Sequence, residues 1–209
     1  MLLDAAVLTI LLGLVLGRGR LTRLKDLDLR APSVFVLAAA IKIILVALGA
    51  RGVAMPLVLG KLGNVASYLL LLLGLALNRH RCELRIVGVG VLLNFLVIAA
   101  NGGSMPVDRA LAQKAGNAAL VRLLDSPRYV NHKRVTPRTR LRPLADVIAL
   151  PMLFPRPRFF SPGSVGDVLI TLGACWLILS ATGAFGLGSS RPPSVLVSSG
   201  RSGEEGEAP

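Results

Sequence analysis

The sequence predicts an all-α fold: an integral membrane helix bundle with about five transmembrane helices plus an amphipathic surface helix. Two observations indicate this class. Of the 209 residues, 53% are hydrophobic and only 17% are charged, whereas a soluble domain carries about 25% charged residues. The apolar residues also stand in long runs, which is typical of segments that face lipid rather than a water-exposed core.

Five apolar runs have the length of a membrane span. They cover residues 1–17, 33–50, 62–78, 84–100 and roughly 163–184. Each run approaches the length needed to cross a hydrocarbon layer of ~30 Å at ~1.5 Å per residue. The first run has no basic start and no small-residue cleavage site before its arginines, so we interpret it as a membrane helix rather than a signal peptide. Residues 1–186 are therefore predicted to form one five-helix membrane domain.

The loop charges predict an orientation. The segments "RGRLTRLKDLDLR" and "RHRCELR" are rich in arginine, whereas residues 51–61 carry only Arg51 and Lys61. The positive-inside rule places the first and third loops in the cytoplasm, which puts the N-terminus outside and the C-terminus in the cytoplasm. The loop 101–162 is then extracytoplasmic although it contains eleven Lys and Arg, because long loops are largely exempt from the rule.

The net charge of +13 indicates an anionic partner, either the lipid head groups of a membrane or a nucleic acid. In a membrane protein, basic loops ordinarily lie beside lipid phosphates. We therefore expect the lipid bilayer and its anionic head groups as partners, and no nucleic acid. Any protein partner is unknown from the sequence.

The loop 101–162 has parts of its own. Residues 108–124 are predicted to form a short amphipathic helix on the membrane surface, with Asp108 as its cap. The stretch "DVIALPMLFP" is apolar but too short to cross, which predicts an interfacial or re-entrant segment. The tail 187–209 is of low complexity and is predicted to be disordered.

Polar side chains collect in one half of the predicted helices, the half toward the outer side. These residues are Asp4, Lys42, Asn64, Ser67, Tyr68, Asn94, Asn101, Asp167 and Thr171. Residues four or seven apart on a helix share a face, as Asn64 and Tyr68 or Asn94 and Asn101 do. The pattern predicts a polar pocket open to the outside. The candidate ligand-binding residues are Lys42, Asn94, Asn101, Asp167, Asp4, Asn64 and Tyr68.

A purely structural interpretation competes with the pocket, because polar residues gather at helix ends in general. It explains Asp4, Asn64 and Asn101 well. It explains Lys42 poorly, since a lysine near mid-helix costs ~2.5–3.5 kcal/mol on insertion scales and usually faces the bundle or water. We expect Lys42 to face the bundle, paired with Asp167, Asp4 or the Asn94 amide. Asp167 also completes the pattern Ser164-x-x-Asp167, a variant of the capping box at a helix start.

Four stretches carry a resemblance: "LLGLVLGRGRLTRL", "LLNFLVIAANGGSMPV", "TRLRPLADVIALP" and "FFSPGSVGDVLITLG". They resemble an uncharacterised family of small bacterial polytopic membrane proteins, a domain of unknown function, and the Asn-Gly-Gly-x-Met-Pro motif is the most specific part. The resemblance extends from the N-terminus to about residue 184. It implies a helical bundle in the bacterial inner (cytoplasmic) membrane and implies no activity.

Three functions remain open from the sequence. The first is a binding or transport protein whose outer-half pocket takes a small polar or anionic molecule or a lipid head group. The second is a non-catalytic accessory or scaffold subunit whose polar face meets a partner protein. The third is a membrane enzyme that acts on a lipid phosphate through His132, Lys133, Arg134 and Asp146, although a solvated loop explains these residues more simply.

Cofactor and metal chemistry find no support in the sequence. The two histidines, His80 and His132, are predicted on opposite sides of the membrane, which argues against a histidine zinc site or a bis-histidine haem. A glycine-rich phosphate loop ending in Gly-Lys-Ser/Thr is missing from the sequence. We therefore expect no cofactor, no metal and no catalytic residues.

Overall fold

The computed structural model describes residues 28–51, 53, 56–126, 129–156 and 158–182. The elements in chain order are α1 (Pro32–Ala50), α2 (Leu57–Leu77), α3 (Cys82–Ala100), β1 (Met105–Val107), α4 (Arg109–Lys114), α5 (Ala118–Leu124), β2 (His132–Arg134), a 3-10 helix (Arg142–Leu144), β3 (Ile148–Arg156), β4 (Arg158–Gly163) and α6 (Val165–Thr182). We call residues 101–164, between α3 and α6, the cap segment.

Three of these helices are long and apolar enough to cross a membrane: α1, α2 and α3. The apolar part of α6, Val165–Ala181, is shorter. Their outward faces are apolar, as Val36 and Val58 show with 67% and 70% exposure. The membrane class of the fold is thus supported. The predicted helix 1–17 with Asp4, and the tail 187–209, lie outside the described residues, so the count of five spans stays a prediction.

The helix boundaries follow local chemistry. Pro32 occupies the first turn of α1, where its missing N–H costs nothing. α2 begins directly after Pro56, five residues before the predicted start, because Lys61 lies within the helix instead of limiting it. Asn78 ends α2 and also exchanges hydrogen bonds with the Arg30 backbone, donating to its carbonyl at 2.9 Å and accepting from its N–H at 2.8 Å. The start of α1 is thereby tied to the end of α2.

The four long helices pack in the order α1, α2, α3, α6. α3 is central: Val91, Val97 and Ile98 are at most 1% exposed. Glycines let α3 and α6 approach closely, because a Cβ on Gly90 would lie 2.5 Å from the Gly166 carbonyl oxygen. The bundle core is therefore formed along α3, with α1 and α6 at the two ends of the row.

The cap segment corrects the all-α prediction, since it contains short strands. β1 pairs in parallel with β2, and Asp146 bridges to Val107 on the other side of β1. The stretch predicted to be interfacial or re-entrant forms β3, which makes an antiparallel hairpin with β4. Its position relative to the membrane stays a prediction. Pairing with β4 satisfies the backbone groups of an apolar stretch that two prolines keep from forming a helix.

The predicted surface helix 108–124 is interrupted. It consists of α4 and α5, which are separated at Gly116, where φ is +69°. Two N-caps explain the break: Asp108 accepts a hydrogen bond from the Leu111 amide, and Asn117 accepts one from the Leu120 amide. The prediction that Asp108 is a cap is confirmed. The second cap at Asn117 starts a new helix where a single one was expected.

Candidate functional site

The C-terminus of α3 is closed by its two glycines. Gly102 and Gly103 have φ of +74° and +87°, which is the left-handed region expected of glycine at a helix end. The Gly103 amide donates to the Ile98 carbonyl at 2.9 Å and the Gly102 amide to the Ala99 carbonyl at 3.3 Å. These two bonds form a Schellman motif.

Lys42 lies on α1, in the half of the helix nearer the cap segment, and faces the bundle. Its ammonium donates to Asn64 Oδ1 at 2.5 Å and stands 4.8 Å from the centre of the Tyr68 ring. Asn64 is fully buried, and its amide nitrogen donates to the Gly103 carbonyl at 2.7 Å. The α3 terminus therefore fixes the amide that receives the lysine.

Asn94 of α3 meets the start of α6. Its Nδ2 donates to Asp167 Oδ1 at 3.0 Å, and its Oδ1 accepts from the Ser164 hydroxyl at 2.8 Å. Ser164 and Asp167 also exchange backbone bonds: the Ser164 amide donates to Asp167 Oδ2 and the Asp167 amide donates to Ser164 Oγ, both at 3.0 Å. This is the predicted capping box. Both Asp167 oxygens and the Asn94 amide thus have protein partners.

A cavity of about 250 Å³ lies between the four long helices. Its polar lining residues are Lys42, Ser67, Tyr68, Asn94 and Asp167. Its apolar lining residues are Phe35, Ala38, Ala39, Leu71, Val91 and Ile170. The cavity is thus amphipathic, with one ammonium, one hydrogen-bonded carboxylate and two hydroxyls set against aliphatic and aromatic walls.

The candidate residues divide into three groups. Lys42, Tyr68, Asn94 and Asp167 line the cavity, with Asn64 directly behind Lys42. Asn101 does not join them: its amide bonds the Val97 and Arg140 carbonyls and accepts from the Arg140 amide, which ties the cap segment to α3. Asp4 lies outside the described residues.

The predicted partners of Lys42 need correction. Within the described part of the chain its ammonium donates to Asn64, not to Asp167 or Asn94. The physical reason is the rotation of the helices, which brings Asn64 of the neighbouring helix α2 within 2.5 Å of the ammonium. Asn94 and Asp167 instead bond each other across α3 and α6.

Sequence reasoning did not place Asp146 at this site. Its side chain is 8% exposed, and Oδ1 has no hydrogen-bond partner among the described residues. Burial raises its pKa to about 8, the Asp167 charge adds to this, and the Lys42 charge opposes it. Asp146 therefore lies within electrostatic reach of two cavity residues. The sequence feature that could have pointed to Asp146 is that it is one of few acids in the basic loop 101–162.

His132 lies at the other edge of β1 from Asp146. Its Nδ1 is 3.0 Å from the Tyr129 hydroxyl, and the two rings are stacked. Burial lowers the pKa of His132 to about 4, and the Lys42 charge acts in the same direction. The imidazole is therefore neutral at physiological pH.

The other residues of the enzyme hypothesis have structural partners. The Lys133 ammonium donates to the Asn101 carbonyl at 2.6 Å, and Arg134 pairs with Asp125. Asp125 also accepts hydrogen bonds from two guanidinium nitrogens of Arg109, at 2.9 and 3.0 Å. Hydrogen bonding by Arg109, supported by Arg134, lowers the pKa of Asp125 to about 2. The basic residues of β2 thus hold the cap segment together.

The fold and the site together define a small helical protein of membrane type, with an amphipathic cavity next to a mixed α/β cap. Residues 26–179 match DUF5317, a family of unknown function, and the chain belongs to that family. None of the curated proteins and none of the solved structures matches this chain.

Proposed function

We propose that this protein binds a small anionic amphiphile in the cavity beside Lys42, as a binding or transport protein of the bacterial inner membrane. In the orientation predicted from the loop charges, the cavity lies in the outer half of the bilayer. The ligand class is an anionic head group on a short apolar body. Either a lipid head group or a free organic anion has this chemistry.

The observation that carries the proposal is the lysine in the cavity wall. An ammonium has three N–H donors, and the described residues supply one hydrogen-bond acceptor, Asn64 Oδ1. A charged group in an apolar setting is stabilised by an opposite charge that completes its hydrogen bonds. An anion at Lys42 would supply both.

The other polar residues favour an anion over a cation. Asp167 is the carboxylate of the cavity wall, and both of its oxygens already accept hydrogen bonds, from Asn94 and from the Ser164 amide. Both Asp167 oxygens therefore have donors, while two of the three Lys42 donors have no acceptor among the described residues. Tyr68 adds a hydroxyl that is able to donate to a ligand oxygen. The Ser67 hydroxyl already donates to the Asn64 carbonyl at 2.7 Å and keeps only its acceptor lone pairs.

The size and walls limit the ligand. A volume of about 250 Å³ equals that of roughly eight liquid water molecules at ~30 Å³ each, and it lies just below the range of pockets for drug-sized ligands. Phe35, Leu71 and Ile170 give the ligand an apolar surface to contact. A short alkyl chain with one anionic group fits these limits.

The test is calorimetric titration of hexanesulfonate into the full-length protein in phosphatidylcholine nanodiscs. We expect saturable binding that Lys42→Gln weakens by about tenfold or more, since a charge-assisted hydrogen bond contributes ~1.5–3 kcal/mol and ~1.4 kcal/mol is tenfold. Lys61→Gln is the matched control, because it removes a lysine charge from the start of α2, next to Gly103 and outside the cavity lining. Glutamine at position 42 keeps a donor for Asn64, so the bundle should stay folded.

Two results would overturn the proposal: no saturable binding by the wild type, or equal binding by the wild type and Lys42→Gln. Native mass spectrometry after mild extraction distinguishes the two ligand sources. A bound lipid that hexanesulfonate displaces would identify the source as the bilayer. Saturable hexanesulfonate binding to a protein that carries no lipid would identify a free organic anion.

A further inference from the structure

Backbone hydrogen bonds hold Asp146 beside β1. Its amide donates to the Pro106 carbonyl and its carbonyl accepts from the Asp108 amide, both at 3.0 Å. The neighbouring residues Ala145 and Val147 pack in the cluster that contains Val97 and Tyr68. The backbone at Asp146 is therefore fixed in the part of the cap segment that meets the bundle.

One oxygen of the Asp146 carboxyl is buried without a partner in the described part of the chain. The side chain is 8% exposed, and Oδ1 accepts no hydrogen bond from the described residues. A buried carboxylate without partners is costly, whereas a protonated carboxyl is neutral. The geometry thus favours the protonated form, and burial accordingly raises the pKa of Asp146 to about 8.

The titratable groups around Asp146 come from each element packed against it. Lys42 on α1 and Asp167 on α6 act on its carboxyl, and the Asp146 charge acts in turn on the Tyr68 hydroxyl of α2. His132 on β2 is neutral, because burial keeps its pKa near 4. Among these residues Lys42 carries the positive charge. An ionised Asp146 would compete with a ligand anion for the Lys42 ammonium.

We infer that the cavity takes up its anion together with one proton, which resides on the Asp146 carboxyl. The inference rests on the proposed function. Protonation removes a negative charge that would repel the ligand and leaves the Lys42 charge to the incoming anion. By thermodynamic linkage, the bound anion raises the affinity of Asp146 for its proton by the same factor by which that proton raises the affinity for the anion. Binding of a monovalent anion with a proton leaves the net charge of the site unchanged.

The test uses hexanesulfonate, whose sulfonate stays ionised across the pH range, titrated into the full-length protein in phosphatidylcholine nanodiscs between pH 6 and 9.5. For the wild type we expect constant affinity below pH 8 and a loss approaching tenfold per pH unit above it, the limit for one coupled proton. Asp146→Asn should bind at pH 6 within about threefold of the wild type and show a flatter profile above pH 8.

Calorimetry at pH 8.5 in two buffers of different ionisation enthalpy counts the protons taken up. We expect fewer for Asp146→Asn than for the wild type. Asp125→Asn is the matched control, because it changes an exposed carboxyl of the same cap segment whose pKa is already near 2, and it should behave as the wild type. Equal proton uptake by Asp146→Asn and the wild type, with Lys42-dependent binding intact, would overturn this inference alone. Absence of binding at pH 6 would overturn the proposed function and this inference with it.

Discussion

Lys42 and Asn64, on neighbouring helices, are joined by a 2.5 Å hydrogen bond from the ammonium to the amide oxygen. The amide cannot turn away, because its nitrogen is bonded to the Gly103 carbonyl at the end of α3. One buried asparagine therefore connects α1, α2 and the C-terminus of α3. It gives the lysine a fixed acceptor in the cavity wall.

This relationship predicts non-additive mutational effects. Asn64→Leu removes the acceptor and should lower the free energy of unfolding in nanodiscs by ~1–3 kcal/mol, because a buried ammonium loses its partner. Lys42→Met in the same background should recover part of that loss by removing the orphaned charge. A double-mutant cycle on thermal unfolding should give a coupling of about 1 kcal/mol or more. Simple additivity of the two changes would contradict the pairing.

The contact between α3 and α6 gives a second prediction. An alanine Cβ at Gly90 would lie 2.5 Å from the Gly166 carbonyl oxygen, which is backbone and cannot move aside. Gly90→Ala should therefore destabilise the bundle by ~1–3 kcal/mol. Gly88→Ala on the same helix is the matched control, since its Cβ would meet only Leu75 at 3.9 Å. It should be neutral or stabilising, because alanine is the better helix former. Equal melting temperatures for the two variants would contradict the observed packing.

The sequence predicts those features of the structure that depend on contacts between residues close together in the chain. Pro32, the Gly102-Gly103 pair and the Ser164–Asp167 box all act within one helical turn, so the helix ends near them are readable from the chain. The strands of the cap segment are not, because β1 pairs with β2 and with Asp146, both distant in sequence. At three residues each, one all apolar and the other all basic, β1 and β2 show no alternation that would signal a sheet.

The same distinction applies to the candidate site. Residue spacing gives the depth of Lys42, Asn64 and Asn94 along their helices, which is why their proximity could be expected. It does not give the rotation of one helix against the next, and this rotation decides that Asn64 rather than Asp167 receives the ammonium. Asp146 was missed as a cavity neighbour because an acid in a basic loop is ordinarily solvated, and only its bridge to Val107 buries it.

The predicted orientation can be tested with cysteines. Cys82 is exposed at the start of α3, on the side predicted to be cytoplasmic, and Lys114 is exposed in the cap segment. In a Cys175→Ala background, an impermeant maleimide applied to right-side-out membrane vesicles should label Lys114→Cys and spare Cys82. Inside-out vesicles should give the reverse pattern. Labelling of Cys82 in right-side-out vesicles would show that the orientation is inverted.

Asp146 should also make the ligand-free protein sensitive to pH. Its pKa is about 8 in the folded protein against an ordinary value of 3.8, and burial is the main cause. Between these two values the folded state holds a proton that the unfolded state has lost, so folding becomes less favourable as pH rises. The associated stability is complete below about pH 4 and is lost progressively up to about pH 8, above which both states are ionised.

Asp146→Asn removes this dependence, because asparagine is neutral in both states and has nearly the shape of the protonated acid. Its gain in free energy of unfolding over the wild type should grow from pH 5 to pH 8, by at most ~1.4 kcal/mol per pH unit, and level off above pH 8. Thermal unfolding in nanodiscs at half-unit pH steps measures the difference.

Asp125→Asn controls for loss of a carboxyl from the cap segment. This variant should be less stable than the wild type rather than more stable, since the pKa of Asp125 is lowered to about 2. Its stabilising contribution is present above about pH 4 and disappears only below it, so this variant should be less stable than the wild type by a constant amount from pH 5 to pH 8. A constant difference for Asp146→Asn over the same range would mean that its carboxyl is already ionised in the folded protein, and the buried, protonated Asp146 on which proton-coupled binding depends would not exist.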